Sequence, residues 1–330
     1  MSAISVINYP QLISAVTESP KIVYLCGAGA SMSLGAHQLS WTRWILEGKK
    51  YLTVPEQTQL EQKIGAWSTG ELIDAVTYLL AGLKAAGSYT EFMDQTMGAL
   101  HPVDRTFQDA LQKIWRIATT NYDLQLEETV GSTGISYTTP ADILSVIRGK
   151  TENKVIHLHG RYDRENGIDD IIADGPQYQS ILDNSGAQFI QNLLSTYPIV
   201  IVGCGGTVED PNLAGFLSFA MEKLGTSDIP YFYLMKKGDT TPQLPGNAVM
   251  IYYGEDYGDL PQFLDELSLL RLQRRVGLPA LISVNPYQER RTATSAFGRM
   301  HFANGFLKFT GREEEQEALT QFLEEDKKFS

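Results

Sequence analysis

Four short clusters hold the residues of this chain best suited to chemistry. The first is Gly27-Ala28-Gly29-Ala30-Ser31. Glycine there lets backbone N–H groups approach a phosphate and tolerates positive φ. A helix or turn starting near Ser31 would add the positive end of its dipole. The stretch reads as a pyrophosphate cradle, although a ligand-free strand-to-helix turn calls for the same glycines. The second cluster is Thr120-Asn121-Tyr122-Asp123. Asn121 carries both a donor and an acceptor and can orient a hydroxyl or a water, while Asp123 can accept from an amide N–H; capping a turn is the structural alternative for Asn121. The third holds His157 and His159, two apart and so on one face if both lie on a strand. An imidazole titrates near neutrality and can take a proton from a hydroxyl or water. On the residues alone, a satisfied structural histidine is the more ordinary reading of either one; His159 sits next to Gly160 at a strand end. The fourth runs from Gly203 and Cys204 through Thr207 to Asp210. Cys204 there is a small residue beside a ligand, and Asp210 before Pro211 is either a helix N-cap or a ligand contact.

Each cluster follows an apolar run. Ile22 to Leu25, Trp115 to Thr119, Lys154 to Leu158 and Pro198 to Val202 read as buried strands, and Tyr231 to Met235 and Val249 to Tyr253 as two more. The tyrosines of the last can line an adenine site or simply fill a strand. Helices are expected over Pro10–Val16, after a Ser40 cap with Trp41, Trp44 and Ile45 on one face, from Pro55 to about Trp115 with a capping box at Ser68–Glu71, over Asn212–Leu224 and over Leu260–Arg274. Trp41 and Trp44 read as core rather than as a stacking platform. Strands alternating with helices predict an α/β fold: a Rossmann-like open parallel sheet with helices on both faces, plus a helical subdomain at about 51–114. In such a sheet the strand carboxyl ends line one crevice, so the four clusters meet there.

The 330 residues are 43% hydrophobic, which suits a globular core, and carry a formal net charge of −12. That balance argues against a nucleic-acid-binding surface. No run approaches the roughly 20 apolar residues of a membrane span, and the N-terminus lacks a basic signal-peptide region. The two cysteines, Cys26 and Cys204, read as reduced thiols in a cytoplasmic protein and cannot build a four-cysteine zinc site. The first glycine cluster lacks the third glycine of a dehydrogenase fingerprint.

As an ordered set, Gly-Ala-Gly-Ala-Ser at 27–31, Thr-Thr-Asn-Tyr-Asp at 119–123, Leu-His-Gly at 158–160 and Val-Gly-Cys-Gly-Gly-Thr-Val-Glu-Asp-Pro-Asn-Leu at 202–213 resemble the motifs of sirtuin-like domains. The resemblance implies NAD as substrate. It implies that Gly27, Ala28, Gly29 and Ser31 hold the pyrophosphate, that Asn121 and Asp123 face the nicotinamide ribose and carboxamide, that His159 is the base, and that Gly203, Cys204 and the loop through Thr207 hold the adenosine side. The zinc-binding cysteine pairs of deacylating sirtuins are absent, and Gly35-Ala-His-Gln-Leu-Ser-Trp41 replaces the segment that follows their first loop. The Asp-Pro-Asn-Leu ending is closer to bacterial sirtuin-like domains that hydrolyse NAD in antiviral defence. The expected activity is therefore an NAD+ glycohydrolase without zinc, releasing nicotinamide and ADP-ribose and depleting NAD in antiphage defence. A non-catalytic NAD or ADP-ribose sensor is the alternative, and a protein deacylase a further one.

Past Arg275 the pattern loosens until Phe309-Thr-Gly-Arg-Glu, which resembles the opening of STAND and other AAA-like ATPases and precedes an acidic helix with Ala318, Leu319, Phe322 and Leu323 on one face. A C-terminal packing helix is the competing reading. The expected organisation is a sirtuin-like catalytic domain at 1–276 and, at 277–330, a linker with the start of a truncated NTPase module. That module would recognise a phage component, with activity coupled to self-association into an oligomer or filament.

Overall fold

The computed structural model describes residues 6–18, 22–35, 39–64, 69–114, 116–148, 154–182, 184, 187–188, 197–204, 231–239 and 248–275. The chain divides into two compact units, Met1–Glu266 and Leu267–Ser330. Of the second, the described part is 267–275, the end of a helix. The expected helix at 212–224, the capping box at Ser68, Thr207, Asp210 and the segment from Phe309 lie outside the described residues.

The first unit is built on seven strands: β1 (Val23–Cys26), β2 (Ile117–Thr119), β3 (Gly134–Ser136), β4 (Val155–His157), β7 (Ile199–Val202), β8 (Tyr231–Lys236) and β9 (Ala248–Gly254). Their order is β3-β4-β2-β1-β7-β8-β9, and every pairing is parallel. This is the Rossmann-like α/β sheet expected from the alternating pattern. β1, β7 and β8 read as continuous apolar runs because both their faces are buried: Val23, Leu25, Ile199, Ile201, Tyr231 and Tyr233 join one core with Ile143, Val146 and Ile147, while Tyr24, Val200 and Phe232, at the alternate positions, are equally inaccessible. The three hydrophobic helix residues come from α9 (Pro140–Ile147). β3 is three residues long and escapes pattern reading. So does a small antiparallel pair, β5 (Tyr162–Asp163) with β6 (Ile168–Asp169).

Helices α3 (Trp41–Lys49), α4 (Val54–Lys63), α5 (Thr69–Ala85) and α6 (Tyr89–Thr96) make a second core around Trp44, Leu60, Leu79, Leu80 and Phe92. The helical block thus takes in α3 as well as the segment from Pro55. α7 (Arg105–Leu111), by contrast, neighbours α2 (Ala28–Leu34) and α8 (Gln125–Val130). Ser40 caps α3 as its sequence suggests, accepting the Arg43 N–H at 3.3 Å. Trp44 is 2% exposed and donates its indole N–H to Thr96 at 3.2 Å. α1 (Pro10–Glu18) and α11 (Leu260–Arg275) complete the frame.

Candidate functional site

The topology reverses direction between β1 and β7, and the carboxyl ends of that pair are where an open α/β sheet opens its crevice. Two of the four clusters meet there in direct contact. Gly27 donates its N–H to Val202 O at 2.9 Å, and Gly29 donates to Gly203 O at 2.7 Å. A Cβ on Gly29 would stand 2.5 Å from that carbonyl oxygen, and one on Gly27 would stand 2.6 Å from Cys204 Sγ. Gly203 has φ of +67° and faces the backbone of Gly29 and Ala30. These glycines are therefore required by one loop pressing on another. The N–H groups of Gly27 and Gly29 are taken by Val202 O at the end of β7 and by Gly203 O just beyond it, so neither is free to meet a phosphate. The helix also begins earlier than the sequence suggested: α2 starts at Ala28, with Gly27 as its N-cap.

β2 delivers the second cluster. Thr119 Oγ1 donates to Cys26 O at 2.8 Å and accepts the Asn121 N–H at 3.0 Å, tying this loop to the end of β1. Asn121 Nδ2 donates to Gly27 O at 2.9 Å and to Ser31 Oγ at 2.8 Å. A backbone carbonyl only accepts, so the atom facing Gly27 must be the amide NH2 and the other is Oδ1. Ser31 Oγ passes the chain on, donating to Asp123 Oδ1 at 3.1 Å. The same oxygen accepts the Gln125 backbone N–H at 3.1 Å. Burial raises the Asp123 pKa, opposed by that N–H and by Ser31. Between Asn121 and Asp123, Tyr122 packs on the helical core against Trp41 and Trp44 and donates its hydroxyl to Ile172 O at 2.5 Å. All three of these aromatic residues border the same cleft as Asn121 and Asp123.

The lining of this shallow cleft includes Ala28, Ser31, Asn121 and Asp123, with Met32 and Trp41 among its apolar walls. Trp44 also reaches the wall, although it is core by burial. Tyr252 and Tyr253 do not line the cleft; the backbone N–H of Tyr252 is met by Tyr9 Oη at 2.9 Å, at the exposed edge of β9.

The two histidines do not share a face, because β4 ends at His157 and His159 lies in the turn beyond it. His157 is fully buried; its Nε2 lies 2.6 Å from Glu127 Oε1 and its Nδ1 2.8 Å from Asn121 O. Its pKa is raised: burial alone would lower it, but the Glu127 carboxylate, through charge and hydrogen bond, outweighs that. His159 is 2% exposed and its ring lies 6.3 Å from that of Tyr178. Its Nδ1 is buried with no partner among the described residues, and burial pushes its pKa down to about 3. His159 is not among the residues lining the cleft. The structure thus brings Ala28, Ser31, Asn121 and Asp123 to one cleft, packs Gly27, Gly29, Gly203 and Cys204 together beside it, and keeps His159 apart. Gln125 and Glu127, which help hold this arrangement, carry no sequence signal, being two residues of an ordinary helical turn; Thr119 belongs to the second motif but is given no role there.

Among the described residues no group of three His, Cys, Asp or Glu converges as a metal site, and no helix is long and apolar enough to cross a membrane. Residues 116–254 match the family model described as "SIR2-like domain". The match spans β2 to β9 and so takes in Asn121, Asp123, both histidines and Gly203, on a sheet of the Rossmann-like α/β kind. Over that segment the chain is similar to SIR2-like domains.

Proposed function

We propose that this domain is an NAD+ glycohydrolase. The observation that carries the reading is Asn121: its amide NH2 is held by Gly27 and Ser31, and its Oδ1 meets no donor among the described residues while the residue lines the cleft. A fixed acceptor suits a ribose hydroxyl or an attacking water. Breaking the bond from C1′ to the nicotinamide nitrogen sends the electron pair out with a leaving group that becomes neutral nicotinamide, so no general acid is needed. Water then adds to the oxocarbenium-like C1′ and gives up a proton. Asn121 Oδ1 holds the nucleophile or the ribose and Asp123 takes the carboxamide N–H; His159 is the base that the sirtuin resemblance implies, and to serve as one it must come within reach of a cleft that it does not line. Antiviral defence, an NTPase partner and activation by self-association rest on the motif resemblance and complete this reading.

A second reading, an NAD or ADP-ribose sensor without turnover, is favoured by the position of His159 outside the cleft lining. Incubation of the purified chain with NAD, with no acylated peptide, and chromatography of the products separates the two. Nicotinamide and ADP-ribose appearing together support the hydrolase. NAD binding by calorimetry with no product, at every protein concentration and in the oligomer, supports the sensor. Nicotinamide release that requires an acyl-lysine peptide refutes both.

A further inference from the structure

The buried His157 is used by nothing in the reaction above, yet both its ring nitrogens face oxygen acceptors: the Asn121 backbone carbonyl and the Glu127 carboxylate. A neutral imidazole has one N–H and one lone pair, so it satisfies only one acceptor. The His157–Glu127 pair must hold one further proton. Whether that proton sits on Nε2 or on the carboxylate, Nδ1–H is left to donate to Asn121 O. Glu127 is buried beside Gly134 of β3, where a side chain would collide with its Oε1, and its second carboxylate oxygen is buried with no partner among the described residues. The residue held by this arrangement is Asn121, which lines the cleft and whose Nδ2 is already taken by Gly27 O and Ser31 Oγ.

We propose that His157 and Glu127 are positioning residues for Asn121, with the protonated pair clamping the Asn121 main chain so that its Oδ1 points into the cleft; the reading rests on the NAD-cleaving function proposed above. When the pair loses its proton, either Nδ1 turns a lone pair toward the Asn121 carbonyl or Nε2 turns one toward the Glu127 carboxylate, and the clamp loosens. The charged groups acting on His157 are Glu127 from α8, Arg161 from the loop after β4, and Asp123. Glu127 favours the protonated ring and Arg161 opposes it.

The two amide replacements of histidine separate positioning from bulk. In His157→Asn the amide nitrogen occupies the place of Nδ1 and keeps the donor to Asn121. In His157→Gln it reaches the place of Nε2 and keeps only the link to Glu127. The expected result is that His157→Gln lowers kcat by about 10- to 100-fold, the range for a reacting group displaced by about 1 Å, with little change in KM. His157→Asn recovers most of the wild-type kcat and loses the alkaline limb of the pH profile. Glu127→Gln keeps a partner for Nε2 but removes the charge, so its alkaline limb moves to lower pH. Hydrogen–deuterium exchange across 119–125 gives a readout independent of turnover, and is expected to rise in His157→Gln and not in His157→Asn. If the wild-type chain releases no nicotinamide, the catalytic reading fails while exchange still decides the positioning. Equal impairment of the two amide variants in kcat and exchange, or a His157→Gln variant indistinguishable from wild type in both, overturns the proposal.

Discussion

Substitution of Gly203 by alanine isolates how closely the β1 and β7 loops must approach, and Gly131 supplies its internal control. Both glycines sit at nearly the same backbone angle, φ of +67° for Gly203 and +62° for Gly131. A Cβ on Gly131, the C-cap of α8, would meet nothing within 4 Å, so Gly131→Ala reports the left-handed strain alone, about 1–2 kcal/mol. A Cβ on Gly203 would overlap the Ala30 nitrogen and stand 2.8 Å from the Gly29 carbonyl carbon. Those neighbours are backbone, with no rotamer to swing aside, so the loops must part and weaken the Gly29-to-Gly203 hydrogen bond. Overpacking of this kind adds about 1–3 kcal/mol. The excess of Gly203→Ala over Gly131→Ala is therefore about 1–3 kcal/mol, or about 2–10 °C in Tm. Urea and thermal unfolding, followed by tryptophan fluorescence in parallel on the two variants and the wild type, measure it. If Gly203→Ala costs no more than Gly131→Ala, the loops are not in the contact described, and the argument that packing demands these glycines is wrong.

Two further outcomes follow from the same hydrogen bonds and burial. Asn121→Asp sets a carboxylate oxygen against the Gly27 carbonyl and is expected to cost about 1–3 kcal/mol and to destabilise more than Asn121→Ala, which only deletes the two bonds; equal Tm values for the two variants would contradict the amide orientation. His159 takes up its proton near pH 6.5 in the unfolded chain but only at about 3 when folded. Its contribution to stability is complete above the unfolded value and is lost as pH falls toward the folded one, with a slope of about 1.4 kcal/mol per pH unit. Denaturation between pH 6 and 4 should show that one-proton slope in the wild type and not in His159→Leu, and identical slopes would mean that His159 is solvated.

The sheet was legible in the chain because β1, β7 and β8 are buried on both faces, and two-sided burial leaves an unbroken apolar run that needs no partner to be recognised. β3 was not legible: Gly134-Ile135-Ser136 has one apolar residue, and it becomes a strand because β4 offers it a parallel edge. Asn121 and Asp123 were singled out by residue type and by the motif they resemble, but what holds them was not legible. Asn121 Nδ2 is held by Gly27 O and Ser31 Oγ, and Ser31 in turn donates to Asp123; nothing in the local pattern says which distant backbone a side chain will meet. The glycines were read as allowing close backbone approach to a phosphate, with a ligand-free turn as the alternative; a sequence shows that Cβ is absent and not what stands in its place. Here that is Gly203 O and Cys204 Sγ.

The two histidines show how far neighbouring residues of one type diverge once placed. Each is buried, and burial alone lowers the pKa of each. For His159 nothing among the described residues answers that effect, so the ring stays neutral and keeps an unsatisfied nitrogen, a cost a fold retains where the atom has use. For His157 the Glu127 carboxylate answers it and raises the pKa, and both ring nitrogens face oxygen acceptors. An imidazole with an unpartnered nitrogen is open to a new partner; one engaged on both sides holds its neighbours still. The chemistry assigned to the pair therefore depends on a single glutamate in α8, 30 residues before His157 in the chain. Exchanging their roles would require moving that carboxylate, not the histidines.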